Sequence, residues 1–418
     1  MGYTFIEKII KKNLGAEHVA PNEIVTVNVD RVMIHDIFIP FVAEKFHEMG
    51  FSKILDPDKV VLIYDHLVPT SASEDVRHFK IGDEFAENYG LKNVHRGDGI
   101  CHQLMTEAYY VKPGDIVFGT DSHTTTYGCI GAFSSGVGYT EMAAILGTGE
   151  MWIKVPETIR INIDGKLRKG VSSKDIILAV IGDLKADGAT YKALEFTGSA
   201  VSEMSVSSRM VISNMAVEAG AKAALFVPDE KTAEYCGINL DGYKDLYGDE
   251  DAGYAQVISY RAEDFVPVMA CPSQVDNIKP VTELSGIKID QVFIGSCTNG
   301  RLEDLEIAAR VIKGRKVADN VKLIITPASR KIYTQAAKSG ILRDLVSAGA
   351  ILMHPGCGLC CGRSGGILCD GERVVATNNR NFLGRMGTPL VEIYLASPET
   401  AATSAISGEI TPPAAFEP

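Results

Sequence analysis

Short apolar runs recur along the chain, and each ends abruptly in polar or glycine-rich residues. Val60 to Tyr64 runs into Asp65-His66, Ile116 to Phe118 into Gly-Thr-Asp-Ser-His, and Val292 to Ile294 into Gly-Ser-Cys-Thr-Asn. Lys322 to Ile325 meets Thr326-Pro327-Ala328-Ser329, and Ala350 to Met353 meets His-Pro-Gly-Cys. Runs of this length and composition predict buried strands, and helical stretches such as Arg330 to Lys338 alternate with them. That alternation predicts α/β layers with largely parallel sheets. The polar clusters then fall just past the carboxyl ends of strands, where several sheets can aim them into one cleft.

Boundaries between units are marked more weakly. Lys154 to Gly165 reads as a strand and turn opening a second unit, Leu240 to Gly253 as a polar loop near its end, and Cys271 to Gly286 as a linker into a last α/β unit. Three domains are expected, at residues 1–155, 156–285 and 286–418. No tandem repeat or low-complexity segment interrupts them.

At 418 residues and 46% hydrophobic, the chain can bury large cores. Its formal charge of −12 disfavours nucleic acid as the main partner, because phosphate neutralisation needs a basic face. No apolar stretch approaches the ~20 residues needed to span a bilayer. The first ten residues carry Glu7 and Lys8 in an amphipathic pattern unlike a signal peptide, and Ile6 stands where myristoylation after Gly2 wants Ser or Thr. A cytoplasmic protein without membrane contact is expected. The acidic stretch Gly248-Asp-Glu-Asp-Ala lacks EF-hand spacing and reads as a solvated loop.

The nine cysteines are odd in number and show no disulfide spacing. Cys101, Cys129, Cys236, Cys271 and Cys369 read as packing thiols. Cys297, Cys357 and Cys360 differ, because each follows a predicted strand. Three soft thiolates in a reducing compartment favour zinc or an iron–sulfur cluster over a disulfide. Alone, Cys357-Gly-Leu-Cys360 fits a redox pair, half a zinc site or a cluster site. Zinc would take a fourth ligand from His354 or Cys361, whereas Gly356, Gly358 and Gly362 would let the backbone wrap a bulky inorganic group. A cubane cluster on three cysteines would keep one iron open.

Four polar pairs also sit at predicted strand ends: His35-Asp36, Asp65-His66, His102-Gln103 and Asp121-Ser122-His123. A carboxylate beside an imidazole fixes its tautomer and raises its basicity, as acid–base chemistry requires. His18, His47, His78 and His95 read as surface or loop residues, and Glu218 as a surface residue on a helix from Ser208 to Ala221. In Asn379-Arg-Asn-Phe-Leu-Gly-Arg385, two arginines five apart could clamp a di- or tricarboxylate.

Gly295-Ser-Cys-Thr-Asn299, Gly356-Cys-Gly-x-Cys-x-Gly362, Gly119-Thr-Asp-Ser-His-Thr124 and Asn379-Arg-Asn-Phe-x-Gly-Arg385 together resemble, over nearly the whole chain, the large subunits of the two-part dehydratases of the aconitase superfamily. The resemblance implies three α/β domains with mixed and parallel sheets around a central iron–sulfur cleft. It implies one [4Fe-4S] cluster per subunit on Cys297, Cys357 and Cys360, with one iron lacking a protein ligand and Cys361 a bystander. Asp65, His66, His102, Asp121, His123 and Glu218 are the implied catalytic groups. Ser122, Asn379, Arg380 and Arg385 are implied on the substrate side, with His35, which stands where aconitase has glutamine. The implied reaction is reversible dehydration of a small hydroxy-dicarboxylic acid: isopropylmalate first, as the commonest branch, then homocitrate or dimethylmalate. Nothing before Pro418 resembles the fourth, swivelling domain, so a separate small subunit is expected to supply it together with a serine base. The RNA-binding role of some single-chain relatives is disfavoured by the acidic charge.

Overall fold

The computed structural model describes residues 2–416. Its first sheet has five parallel strands in the order Asn93–Arg96, Val60–Tyr64, Arg31–His35, Ile116–Gly119 and Phe133–Gly136. All five residues of Val60–Tyr64 are buried, because alternate side chains enter different cores. Val61 and Ile63 join one core, while Val60, Leu62 and Tyr64 join another with Phe46, Phe85 and Phe118. A strand covered on both faces needs a continuous apolar run, which is the pattern seen in the sequence.

A second sheet of four parallel strands runs Ala223–Phe226, Ala193–Thr197, Thr158–Asp164, Gln256–Arg261. The third has seven strands, ordered Ile278–Pro280, Val268–Ala270, Glu392–Leu395, Arg373–Ala376, Gln291–Gly295, Lys322–Thr326 and Ile351–Leu352. Its first two strands are antiparallel and the other five parallel. An antiparallel pair of Ile24–Asn28 and Glu150–Lys154 completes the set. The architecture is therefore α/β with parallel and mixed sheets.

Two local expectations change. The stretch expected as a linker from Cys271 to Gly286 contributes the edge strand Ile278–Pro280, paired with Val268–Ala270. An edge position tolerates the proline, and Ile278 packs against Gly182 of the helix Ser173–Leu184, where a Cβ would come within 2.8 Å of it. The strand expected over Ala350 to Met353 is reduced to Ile351–Leu352.

One hydrophobic core runs continuously across the first, second and third sheets. The units lock at close backbone contacts. Ile100 donates to the Ala328 carbonyl at 2.8 Å and Arg330 to that of Asp98 at 2.7 Å. The 3₁₀ helix Ser122–Ile130 packs on the helix Val206–Met215 and the strand Ala223–Phe226. At Gly128 an added Cβ would lie 1.7 Å from the Ala224 carbonyl oxygen. Among the described residues no helix is long and apolar enough to cross a membrane.

The contact at Gly128 admits no side chain. Gly128→Ala is expected to cost about 1–3 kcal/mol, read as a lower denaturant midpoint with unchanged slope. A variant as stable as the parent would show that the two segments can part without loss.

Candidate active site

Asp121 ends the strand Ile116–Gly119 two residues on and caps the following 3₁₀ helix. Its Oδ1 accepts from the His123 backbone at 2.7 Å, from His102 Nε2 at 2.9 Å and from His123 Nδ1 at 3.2 Å. His123 continues the chain through Nε2 to Glu218 Oε1 at 2.9 Å. The same oxygen accepts from Arg380 Nε at 2.8 Å, and Arg380 Nη2 donates to Ser122 Oγ at 3.0 Å. Basic and acidic groups therefore alternate along His102, Asp121, His123, Glu218 and Arg380. Burial raises Asp121, but the hydrogen bonds from His102 and His123 outweigh it and hold the carboxyl well below its ordinary value. Burial likewise pulls His102 down, and here it prevails over the bond to Asp121. For His123, burial and the Arg380 charge are outweighed by the contacts to Asp121 and Glu218, so its pKa is raised.

A second group gathers at the ends of Arg31–His35 and Val60–Tyr64. Fully buried Asp36 accepts the backbone N–H groups of Asp65 at 3.0 Å, His66 at 3.1 Å and Leu67 at 2.9 Å, which fixes the turn after the strand. Asp65 accepts from His66 Nδ1 at 2.7 Å and, through Oδ2, from the Cys101 backbone at 2.7 Å. Burial opposes charge on both partners, yet their contact keeps Asp65 low and His66 well above the usual imidazole value. The His35 ring stacks on His66 at 4.2 Å between centroids. With Ile37 N–H donating to its Nδ1 at 3.3 Å, His35 is left with a buried Nε2 that has no partner among the described residues.

The thiols lie beside these groups. Cys297 sits in the turn Ser296–Asn299 after the strand Gln291–Gly295, and Cys357 and Cys360 in the loop after Ile351–Leu352. All three are buried, and among the described residues every cysteine is free. Cys297 Sγ receives the carboxamide N–H groups of Asn214 at 3.2 Å and Asn379 at 3.4 Å. The Cys360 thiol donates to Asn379 Oδ1 at 3.5 Å, and Arg385 Nη2 lies 3.9 Å from the same sulfur. The Cys357 backbone donates to the Asp65 carbonyl at 3.0 Å, tying the thiol loop to the Asp65-His66 turn. Cys361 Sγ faces the carbonyls of Gly358 at 3.5 Å and His66 at 3.9 Å. Carboxamide N–H groups aimed at sulfur, with a guanidinium nearby, suit thiolates that bind a metal cluster. His354, the alternative zinc ligand, instead donates through Nδ1 to the Pro355 carbonyl at 2.7 Å.

Several sequence expectations need correction. His102 stands on the helix Cys101–Glu107 rather than at a strand end, and its partner is Asp121 across the fold rather than Gln103. Glu218 is buried, not at the surface, and lies in a 3₁₀ turn beyond the helix Val206–Met215. His78 is half-buried and donates to the Asp36 carbonyl at 3.0 Å. Asp36, paired with His35 from sequence, instead accepts the backbone N–H groups of Asp65 to Leu67, and Asn214 had no role from sequence. The only signal for Asn214 is its place four residues before Glu218.

The aconitase family (aconitate hydratase) model matches residues 7–285 and 272–408. A protein named 3-isopropylmalate dehydratase large subunit 1, from Methanopyrus kandleri, is 48% identical over 416 residues, covering 99% of each chain. One of the same name from Thermotoga maritima is 48% identical over 421 residues, covering 100% of each. The holo form of aconitase X from Thermococcus kodakaraensis superposes with a TM-score of 0.49 at 14% identity, over 90% of this chain and 89% of its own.

Asp36→Ala would strand three buried N–H groups, each costing about 1–3 kcal/mol. A loss of about 3 kcal/mol or more is expected in denaturant unfolding, and less for Asp36→Asn, which keeps one acceptor oxygen. Equal losses for the two would contradict the clamp.

Proposed function

The chain belongs to the aconitase family and is a hydro-lyase, and on that premise we propose that it is the large subunit of a 3-isopropylmalate dehydratase, interconverting 2- and 3-isopropylmalate. Family membership implies an iron–sulfur cluster. We take it as [4Fe-4S], one per subunit, on Cys297, Cys357 and Cys360. The observation that carries this reading is Asn379, which contacts the sulfurs of both Cys297 and Cys360 beside the imidazole and carboxylate groups. The relatives' names supply the substrate.

When bound, a cluster with one iron free of protein ligands supplies a Lewis acid for the substrate's hydroxyl and carboxylate. The protein's own groups manage the protons. His66, kept protonated by Asp65, is suited to protonate the departing hydroxyl. Asp121 holds His102 and His123 in fixed orientations, and Glu218 ties His123 to Arg380. His35 offers its Nε2 to a substrate carboxylate. Ser122, Asn379, Arg380 and Arg385 complete the substrate side, and the unpartnered Arg385 Nε is available to an anion.

We propose three domains at 1–155, 156–285 and 286–418, although the strand pair at 268–280 belongs to the third sheet. The relatives are called large subunits, which implies a separate small subunit. We assign that partner the swivelling domain and the serine that removes the carbon-bound proton.

Cys297→Ser, Cys357→Ser and Cys360→Ser are each expected to lose the brown cluster, by iron and sulfide analysis after anaerobic reconstitution, while Cys361→Ser keeps it. Loss in Cys361→Ser with retention in Cys360→Ser would reverse the ligand assignment. A colourless protein holding stoichiometric zinc would overturn the cofactor.

Without the partner's base, turnover of isopropylmalate is expected to fall about 10²- to 10⁴-fold, and the small subunit should restore it with saturable dependence. Arg385→Lys should then raise KM, because a point charge replaces a bidentate fork. Full activity from large chain free of any partner by mass spectrometry would contradict the division of labour.

A further inference from the structure

Three cations are almost completely buried: Lys174 at 0%, Arg209 at 1% and Arg301 at 2% exposure. Arg209 is neutralised by a bidentate pair with Asp229. Arg301 and Lys174 are not. Among the described residues neither has a carboxylate oxygen within 4.0 Å.

Both donate instead to the backbone that carries the thiol site. Arg301 Nη2 reaches the carbonyl of Cys297 at 2.6 Å, its Nη1 that of Thr298 at 2.7 Å, and its Nε the Gln103 side-chain oxygen at 3.1 Å. Lys174 Nζ reaches the carbonyls of Thr377 at 2.7 Å and Asn378 at 2.6 Å, immediately before Asn379 and Arg380. Two loops whose side chains meet at the sulfurs are thus each pinned from behind by a buried cation.

Carbonyls can be satisfied by neutral donors, and an uncompensated buried charge is costly. The carboxylates facing these groups, Asp304 and Asp175, are engaged elsewhere. Asp304 accepts from Asn299 Nδ2 and the Arg301 backbone, both at 2.9 Å, and Asp175 from Ser172 and Val268. Burial pushes both up to about 6, with the Arg301 charge acting to keep Asp304 ionised. Burial pulls Lys174 down to about 7, and the foremost charge opposing that loss is Cys360, followed by Asp304 and Cys297. Buried cations lodged behind the two loops that meet at the thiols suit an anionic occupant.

We propose that Arg301 and Lys174 are positioning residues for the three-cysteine site that also supply the buried positive charge balancing its thiolate-bound cluster. The inference rests on the cofactor assignment above. One-electron reduction adds negative charge to such a cluster, so nearby cations favour the reduced form, and removing one should lower the potential.

The test uses the full chain, anaerobically reconstituted with ferrous iron and sulfide. Arg301→Met and Lys174→Met remove charge, whereas Arg301→Lys and Lys174→Arg keep it. Iron and sulfide per chain and the midpoint potential, from a titration followed by electron paramagnetic resonance, are measured beside wild type. Each charge-removing variant is expected to shift the reduction equilibrium about tenfold, 59 mV downward for one electron, and the charge-keeping variants to stay near wild type. A charge-removing variant with a full cluster at the wild-type potential would overturn the proposal. If the charge-removing variants take up no cluster, loading in the charge-keeping pair supports it and failure there overturns it. A wild-type chain that takes up no iron and sulfide sinks the cofactor assignment and this inference with it, whereas an unmoved potential sinks this inference alone.

Discussion

Asp121 Oδ1 accepts three hydrogen bonds, two from imidazoles and one from backbone, and the polar lining of the cleft is built outward from it. Desolvation alone would push the carboxyl of half-buried Asp121 toward its neutral form. Here two histidines donate to it and keep it ionised, and its charge in turn fixes which ring nitrogens carry protons. The outer ends of those rings are committed as well, His123 to Glu218 and His102 to the Tyr127 hydroxyl at 3.3 Å. Neutralising any member would leave its neighbours as unpaired buried groups, so the network behaves as a unit.

The Asp36 clamp works on a different principle. It binds no ring tightly but gathers three backbone N–H groups into one anion, as a helix N-terminus does for an external ligand. The turn it stiffens presents Asp65 and His66, and the Asp65 carbonyl receives the Cys357 backbone. Orientation of the acid–base pair and placement of the thiol loop therefore share one origin.

Much of this could be read from residue order, and the remainder failed for identifiable reasons. Strands such as Val60–Tyr64, covered on both faces, appear as unbroken apolar runs. The clustering of polar residues after them follows from chain direction in a parallel sheet. What sequence could not convey was partnership at a distance. Glu218 looked exposed because a lone carboxylate on a helical stretch ordinarily faces water, and its partners lie 95 and 162 positions away. His102 was matched with its neighbour when its bond runs to Asp121, 19 residues on. The edge strand Ile278–Pro280 was hidden by a proline that a central strand would exclude. Lys174 and Arg301 resemble any other charged helix-terminal residues until their burial is known.

The bridging of two sulfurs by Asn379 fixes an order of events in the life of the molecule. Cys297 emerges from the ribosome long before Cys360, and Asn379 follows both, so no growing chain that has not yet reached Asn379 holds the complete set of contacts around the thiols. The early segments can fold as they appear, Asp36 closing on Asp65 to Leu67 within the first sheet. A metal centre seated on those sulfurs with Asn379 beside them is completed only after the first sheet has been synthesised, which makes acquisition of the cofactor a maturation step and separates it in time from folding of that scaffold.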